Sequence, residues 1–146
     1  MDAATVDKYI ERVSLFHGLS REEVAKIFAK GMTMHVNADQ DIFVQGTVGN
    51  QMYVVLGGKL GVYNGKKCIA ELRTGDMFGE MALVNKEPRS ATVTAINDSR
   101  LFVLSETTFE RLMSKRVAIR VLFNIIKTLS HRLSDANKRI ATPPNE

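Results

Sequence analysis

Apolar residues recur at helical spacing at both ends of the chain and in short runs of β character between them. Val6, Tyr9, Ile10 and Val13 share one face of a first helix. Ser20-Arg21-Glu22-Glu23 then reads as a capping box, in which Ser20 and Glu23 satisfy each other's free backbone donors. Leu19 and Val24 are placed to staple this second helix, Val24, Ile27 and Phe28 supply its stripe, and Gly31 is placed to end it in a left-handed turn. From Met32 the texture changes, and runs at 32–36, 41–44, 52–56, 59–63, 68–72, 92–96 and 101–104 read as strands. With glycine corners at Gly46, Gly49, Gly57 and Gly58, this spacing predicts an antiparallel barrel or jelly roll with flanking helices, an α+β chain that is mainly β. Asn64-Gly65 predicts a hairpin with a type I′ turn, because both residues tolerate positive φ.

After Leu104 the helical period returns. Ser105 is the expected N-cap of a helix carrying Phe109, Leu112 and Met113, and a longer helix runs from about Val117 to Ile140 before Pro143-Pro144. On that last helix Val117, Val121, Ile125, Leu129, Leu133, Ala136 and Ile140 form a stripe that Leu122 and Ile126 widen. A stripe so wide has two readings: all of it packs on the barrel, or one side does and the other meets a second copy of the helix in a symmetric dimer.

Composition narrows the picture. A chain of 146 residues, 45% hydrophobic, has the size of one domain, so any output runs through that domain or a partner. The N-terminus lacks a signal-peptide run, and Arg120 and Lys127 interrupt the most apolar C-terminal stretch, so a cytoplasmic protein without a membrane anchor is expected. Cys68 is alone, which excludes an internal disulfide and reads as a small strand residue; His17, His35 and His131 are scattered without metal-ligand spacing. No base stands beside Ser90, so neither an enzyme nor a metal site is expected. Residues 1–100 carry 12 basic and 12 acidic side chains and residues 101–146 carry 8 and 4, so the net charge of +4 sits in the C-terminal helices. No aromatic residues interleave with those charges, and a solvated helix face accounts for them better than nucleic-acid binding.

The segment that carries chemistry lies between the strand ending near Leu72 and the one starting near Ala91, and it is too long for a turn. Its middle, Glu80 to Val84, is apolar with good helix formers and predicts about one and a half helical turns directly after Gly79. A helix starting at glycine offers free N–H groups and a partial positive charge to a phosphate oxygen. Arg89 is the cation suited to neutralise such a phosphate, and Ser90 adds a hydroxyl. Glu80 would be repelled by a phosphate but can accept a hydrogen bond from a sugar hydroxyl. Residue chemistry leaves a second reading open, a glycine turn tied down by a Glu80–Arg89 ion pair.

Phe78-Gly79-Glu80-Met81-Ala82-Leu83-Val84 followed by Pro88-Arg89-Ser90-Ala91-Thr92-Val93-Thr94-Ala95 resembles the phosphate-binding cassette of cyclic nucleotide-binding domains. Phe43-Val44-Gln45-Gly46, Met52 to Gly58, and Leu15-Phe16-His17-Gly18-Leu19-Ser20 resemble that family's early strands and helical lead-in, so the likeness runs from about Val13 to Ile140. The resemblance implies an antiparallel β-roll in a single domain over 1–146, with N-terminal helices in 1–31, the roll in 32–104 holding a cassette at 78–91, and C-terminal helices in 105–140. It further implies backbone contacts from Gly79, Met81 and Ala82, a ribose 2′-hydroxyl contact from Glu80, phosphate contacts from Arg89 and Ser90, and Ala91 closing the ligand segment. Members that have lost ligand binding often lack the arginine or the glutamate, and this chain has both. Regulators of the catabolite-activator type resemble it through the long helix and continue into a helix-turn-helix; this sequence stops at Glu146, so a DNA-binding output in cis is not expected.

Ser90, where guanine-selective relatives often carry threonine, favours cAMP over cGMP. Ala70 and Leu72 alternate onto one strand face as apolar walls for a purine. Asn137 and Ile140 fall, beside Ala136, where the family's lid lies, and Asn137 is able both to donate and to accept toward a base. The expected function is a non-enzymatic cyclic nucleotide sensor with no cofactor, signalling through its last helix to an effector protein or a twin subunit; the alternative is a ligand-free interaction or dimerisation module on the same fold.

Overall fold

The computed structural model describes residues 3–112 and 115–141, with the side chains of Val84, Leu112 and Lys115 left aside. Met113 and Pro143-Pro144, assigned above to a helix and to the chain end, lie outside the described residues. Helix α1 (Ala3–Arg12), a 3₁₀ turn (Ser14–Phe16) and α2 (Arg21–Lys30) lead into eight strands, β1 (Met32–Val36), β2 (Asp41–Phe43), β3 (Gln51–Gly57), β4 (Lys59–Asn64), β5 (Lys67–Arg73), β6 (Met77–Phe78), β7 (Thr92–Ala95) and β8 (Ser99–Ser105). A short helix α3 (Met81–Val84) interrupts them after β6, and α4 (Glu106–Leu112) and α5 (Lys115–Ala141) follow. The strands form two antiparallel four-stranded sheets, ordered β1-β8-β3-β6 and β2-β7-β4-β5, which is the β-roll expected.

The period-2 alternation of β3 and β8 explains the layering. Met52, Val54, Leu56, Phe102 and Leu104 point toward the helices and join Phe16, Val24, Val121 and Ile125 in one core, while Tyr53, Val55, Leu101 and Val103 point between the sheets and meet Leu60, Leu72, Phe78 and Val93. Being buried on both faces, these two strands read as unbroken apolar runs. Phe16, Phe28 and Phe102 seal the helical side, with Phe28 and Phe102 at 4.8 Å between ring centroids.

Local signals are realised with specific differences. Ser20 accepts from Glu23 N and Glu23 accepts from Ser20 N, the capping box expected, and the same Glu23 carboxylate takes a hydrogen bond from Arg116 of α5, which with the Ser20 bond holds its pKa below the usual 4.5. Gly31 ends α2 in extended backbone at φ −89°, not in a left-handed turn, because the chain passes straight into β1 against Phe102, where a Cβ would stand 2.2 Å from the ring. The hairpin turn is Gly65-Lys66, with Asn64 still paired to Lys67 as the end of β4; φ is positive at Gly65 and not at Lys66, so the turn is not type I′. Ser105 caps α4 through Thr108 N.

Helix α5 divides its apolar residues between two sides. Val117, Val121 and Ile125 are buried against the roll and the 3₁₀ turn, and Asn124, also buried, donates to Leu15 O at 2.8 Å and His17 O at 2.9 Å. Thr128 lies within reach of Ser14, and Arg132 donates to Met77 O of β6 at 2.6 Å. Residues 130–141 are otherwise exposed, so Leu133, Ala136 and Ile140 do not continue the buried stripe.

Candidate functional site

β6 pairs with β3 through Tyr53↔Phe78 and Val54↔Met77, which anchors the start of the cassette in the first sheet and turns Phe78 inward. Gly79 follows at φ +74°, a conformation side-chain-bearing residues rarely adopt. Its missing Cβ also clears space for Arg89, since an added Cβ would lie 2.9 Å from Nη1; one on Gly49 would lie 2.6 Å from Nη2. Glu80 is already in the αR region, but α3 itself spans only Met81–Val84, a single turn shorter than the sequence predicts, because Asn85 turns extended ahead of Pro88.

Arg89 is delivered by the return of the chain. Its N–H donates to Thr47 O at 2.7 Å and its carbonyl accepts from Gly46 N at 2.8 Å, pinning it to the loop before β3. The guanidinium donates to Gly79 O at 3.1 Å and Gln51 O at 2.8 Å and lies 4.2 Å over the Phe43 ring. Among the described residues it has no ion-pair partner. Burial lowers its pKa below the ordinary arginine value, and Tyr53 and Glu80 pull the other way. A half-buried cation satisfied by carbonyl dipoles and a ring face keeps an unbalanced charge, which an anion would balance.

Glu80 is buried and turns to α5, where Arg132 Nη1 donates to Oε1 at 3.4 Å. This contact replaces the Glu80–Arg89 pair of the alternative reading. One hydrogen bond leaves a carboxylate with further acceptor positions, so a sugar hydroxyl can still be taken.

These groups open on one cavity of about 330 Å³. Val62, Ala70 and Leu72 of β4 and β5 form an apolar wall, Phe43 and Phe78 the inner end, and Gly79, Glu80, Met81, Ala82, Arg89, Ser90 and Ala91 the polar side. Of the residues expected at the site, the structure brings these seven and the two wall residues together. Asn137 and Ile140 do not line it: the last α5 residue that does is Arg132, and both stand on exposed turns beyond it. The sequence reading missed Arg132 and Phe43. Arg132 was discoverable, since 117, 121, 125, 128 and 132 follow one helical face and a cation on a roll-facing position needs a polar partner. Phe43 carried no distinguishing signal. A depression of about 740 Å³ beside Ile119 and Phe123 is larger, but its described walls all come from α5 and it gathers no acceptor side chain.

A cavity with an apolar wall on one side and a cation without an ion-pair partner and a carboxylate on the other has the chemistry to suit a small anionic ligand with an apolar part. The chain belongs to the cyclic nucleotide-binding domain family, whose model matches residues 33–116. It is 32% identical to the cAMP-dependent protein kinase regulatory subunit of Eremothecium gossypii over 114 residues, 77% of this chain and 25% of that protein. Over 128 residues it is 31% identical to the cyclic AMP receptor protein of Thermus thermophilus, 84% of this chain and 58% of that protein. It thus spans about a quarter and somewhat over half of these relatives. A crystal structure of a cyclic nucleotide-binding domain from Methylobacillus flagellatus shares the fold, with a TM-score of 0.82 at 23% identity over 97% of this chain and 85% of that one. Among the described residues no helix is long and apolar enough to cross a membrane, and no group of three His, Cys, Asp or Glu is placed to hold a metal ion.

Proposed function

We propose that this chain is a single regulatory domain that binds a cyclic nucleotide monophosphate, cAMP in preference to cGMP, without turning it over. The observation that carries the reading is Arg89, a desolvated guanidinium with no carboxylate, at the polar side of a cavity walled by Ala70 and Leu72. The cyclic phosphate accepts from Arg89, from Ser90 and from the backbone about Gly79, Met81 and Ala82; the ribose 2′-hydroxyl donates to Glu80; Ala91 closes the segment and the purine lies on the apolar wall. The names of the relatives from Eremothecium gossypii and Thermus thermophilus support cAMP as the ligand and a regulatory role.

Output passes through α5. Arg132 ties that helix to Met77 and Glu80, so a ribose engaging Glu80 alters a contact of the helix itself. In the bound state α5 swings toward the mouth, with Asn137 and Ile140 covering the base, and changes what it offers to an effector protein or a second copy. Hydrogen exchange should therefore slow across residues 115–141 at saturating cAMP; unchanged protection and unchanged solution scattering would remove the switch. The second reading, a ligand-free interaction module, is favoured by the apolar exposure of α5. Calorimetric titration with cAMP and cGMP separates the two: saturable heat belongs to the receptor and its absence to the module.

A further inference from the structure

The cavity has a soft, oxidisable atom at its rim. Met81 lines it and is 49% exposed, whereas Met52 and Met77 are 0% and 1% exposed. The difference comes from the single turn of α3, which buries Ala82 and rests Leu83 against the helical-side core and so leaves Met81, the residue before them, outward. Met34 is half-buried against the core between the sheets. Met32, at 68%, is exposed at the start of β1 but does not line the cavity. Among the described residues Met81 is therefore the one methionine that a small solute reaches and that also borders the ligand space. Oxidation of a thioether follows solvent access and turns a flexible apolar side chain into a polar one.

We propose that Met81 is an oxidation site through which hydrogen peroxide lowers the affinity of the cavity for its nucleotide. A lone pair of Met81 Sδ attacks one peroxide oxygen, and the S–O bond forms as the O–O bond breaks. Hydroxide leaves, takes up the proton of the transferred oxygen and departs as water, so that sulfur loses two electrons and peroxide gains them. The sulfoxide oxygen carries partial negative charge and accepts hydrogen bonds without donating any. It arises on the side of the cavity where Arg89, Ser90 and the backbone about Gly79 supply donors for a phosphate. There it repels the phosphate and competes for those donors. The change is reversible, because a methionine sulfoxide reductase returns the thioether. Cys68 is a second exposed sulfur, directed to Ala70 O on the wall strand, and has to be removed before the effect of Met81 is read. The inference rests on the reading of the cavity as a nucleotide site and adds a chemical control of it.

The test treats the chain carrying Cys68→Ser with a limited dose of hydrogen peroxide and maps the oxidised peptides by mass. Met32 and Met81 should gain one oxygen ahead of Met52 and Met77, and saturating cAMP should slow Met81 and not Met32. Oxidised protein that still melts cooperatively should bind cAMP roughly three- to tenfold more weakly, the worth of one contested hydrogen bond, and should recover with a methionine sulfoxide reductase. Taken as the ratio of affinities before and after peroxide, the loss should vanish in Met81→Leu and persist in Met32→Leu. Met81→Gln, close to methionine in length and with a fixed polar oxygen, should bind more weakly than Met81→Leu without any peroxide. The inference is overturned if Met81 oxidises no faster than Met77, if its full oxidation leaves the affinity for cAMP unchanged, or if Met81→Leu loses as much as its parent. Untreated protein that binds no cAMP fails the nucleotide reading itself and removes the inference with it.

Discussion

At the site each side chain is defined by what its neighbours leave unsatisfied. The guanidinium of Arg89 rests on Gly79 O, Gln51 O and the Phe43 ring, none of which carries a formal negative charge. Glu80, by contrast, has a cation in Arg132 but also faces the cavity, so it serves as an acceptor and not as the counter-charge of Arg89. This separation of roles predicts a specific discrimination. In the wild type, 2′-deoxy-cAMP should bind more weakly than cAMP, by roughly tenfold or more for one lost hydrogen bond to a charged group of about 1.5–3 kcal/mol. Glu80→Gln should weaken cAMP and shrink that difference; a variant that keeps the full preference for the ribose contradicts the role of Glu80. The residue types of Gly79, Glu80, Arg89 and Ser90 pointed to an anion site with a sugar-reading carboxylate but left a Glu80–Arg89 ion pair open, and the likeness to the cassette decided between the two. Arg132 lies far along the chain and belongs to no motif, so only its helical phase on the roll-facing side of α5 pointed to it.

At the scale of elements the pattern of apolar residues placed seven strands and all the longer helices, since β3 and β8 announce themselves by burial on both faces. It missed β6, whose two residues are too few to show a period, and β6 is the strand that anchors the cassette. It also merged the two sides of α5, because a helix apolar on both sides shows one broad stripe and its period does not say which part meets the roll. The residues that decide are polar. Asn124 is buried on α5 and spends its amide on the carbonyls of Leu15, within the 3₁₀ turn, and of His17, just after it. Asn124→Ala should destabilise the fold by about 1–3 kcal/mol by leaving those carbonyls dry. Urea denaturation measures it, and a loss under about half a kcal/mol would show that water replaces the amide.

For the whole molecule the roll is a scaffold with two attachments for one helix. The 3₁₀ turn holds α5 near its middle through Asn124, and the cassette touches it once more through Arg132. Beyond Arg132 the helix is exposed, and the proposed cover over the base draws on those last turns. In the proposed switch, the ligand and any partner of the helix would act on this one element. Everything in this account depends on the cavity being a cyclic nucleotide site. The decisive measurement is titration calorimetry of the nucleotide-stripped protein and of Arg89→Leu with cAMP. The account predicts saturable one-site binding by the wild type, weaker binding of cGMP, and a loss of about 2–5 kcal/mol in Arg89→Leu, some thirty-fold to several-thousand-fold in affinity. No heat with either nucleotide, or equal affinity in the two proteins, would contradict it.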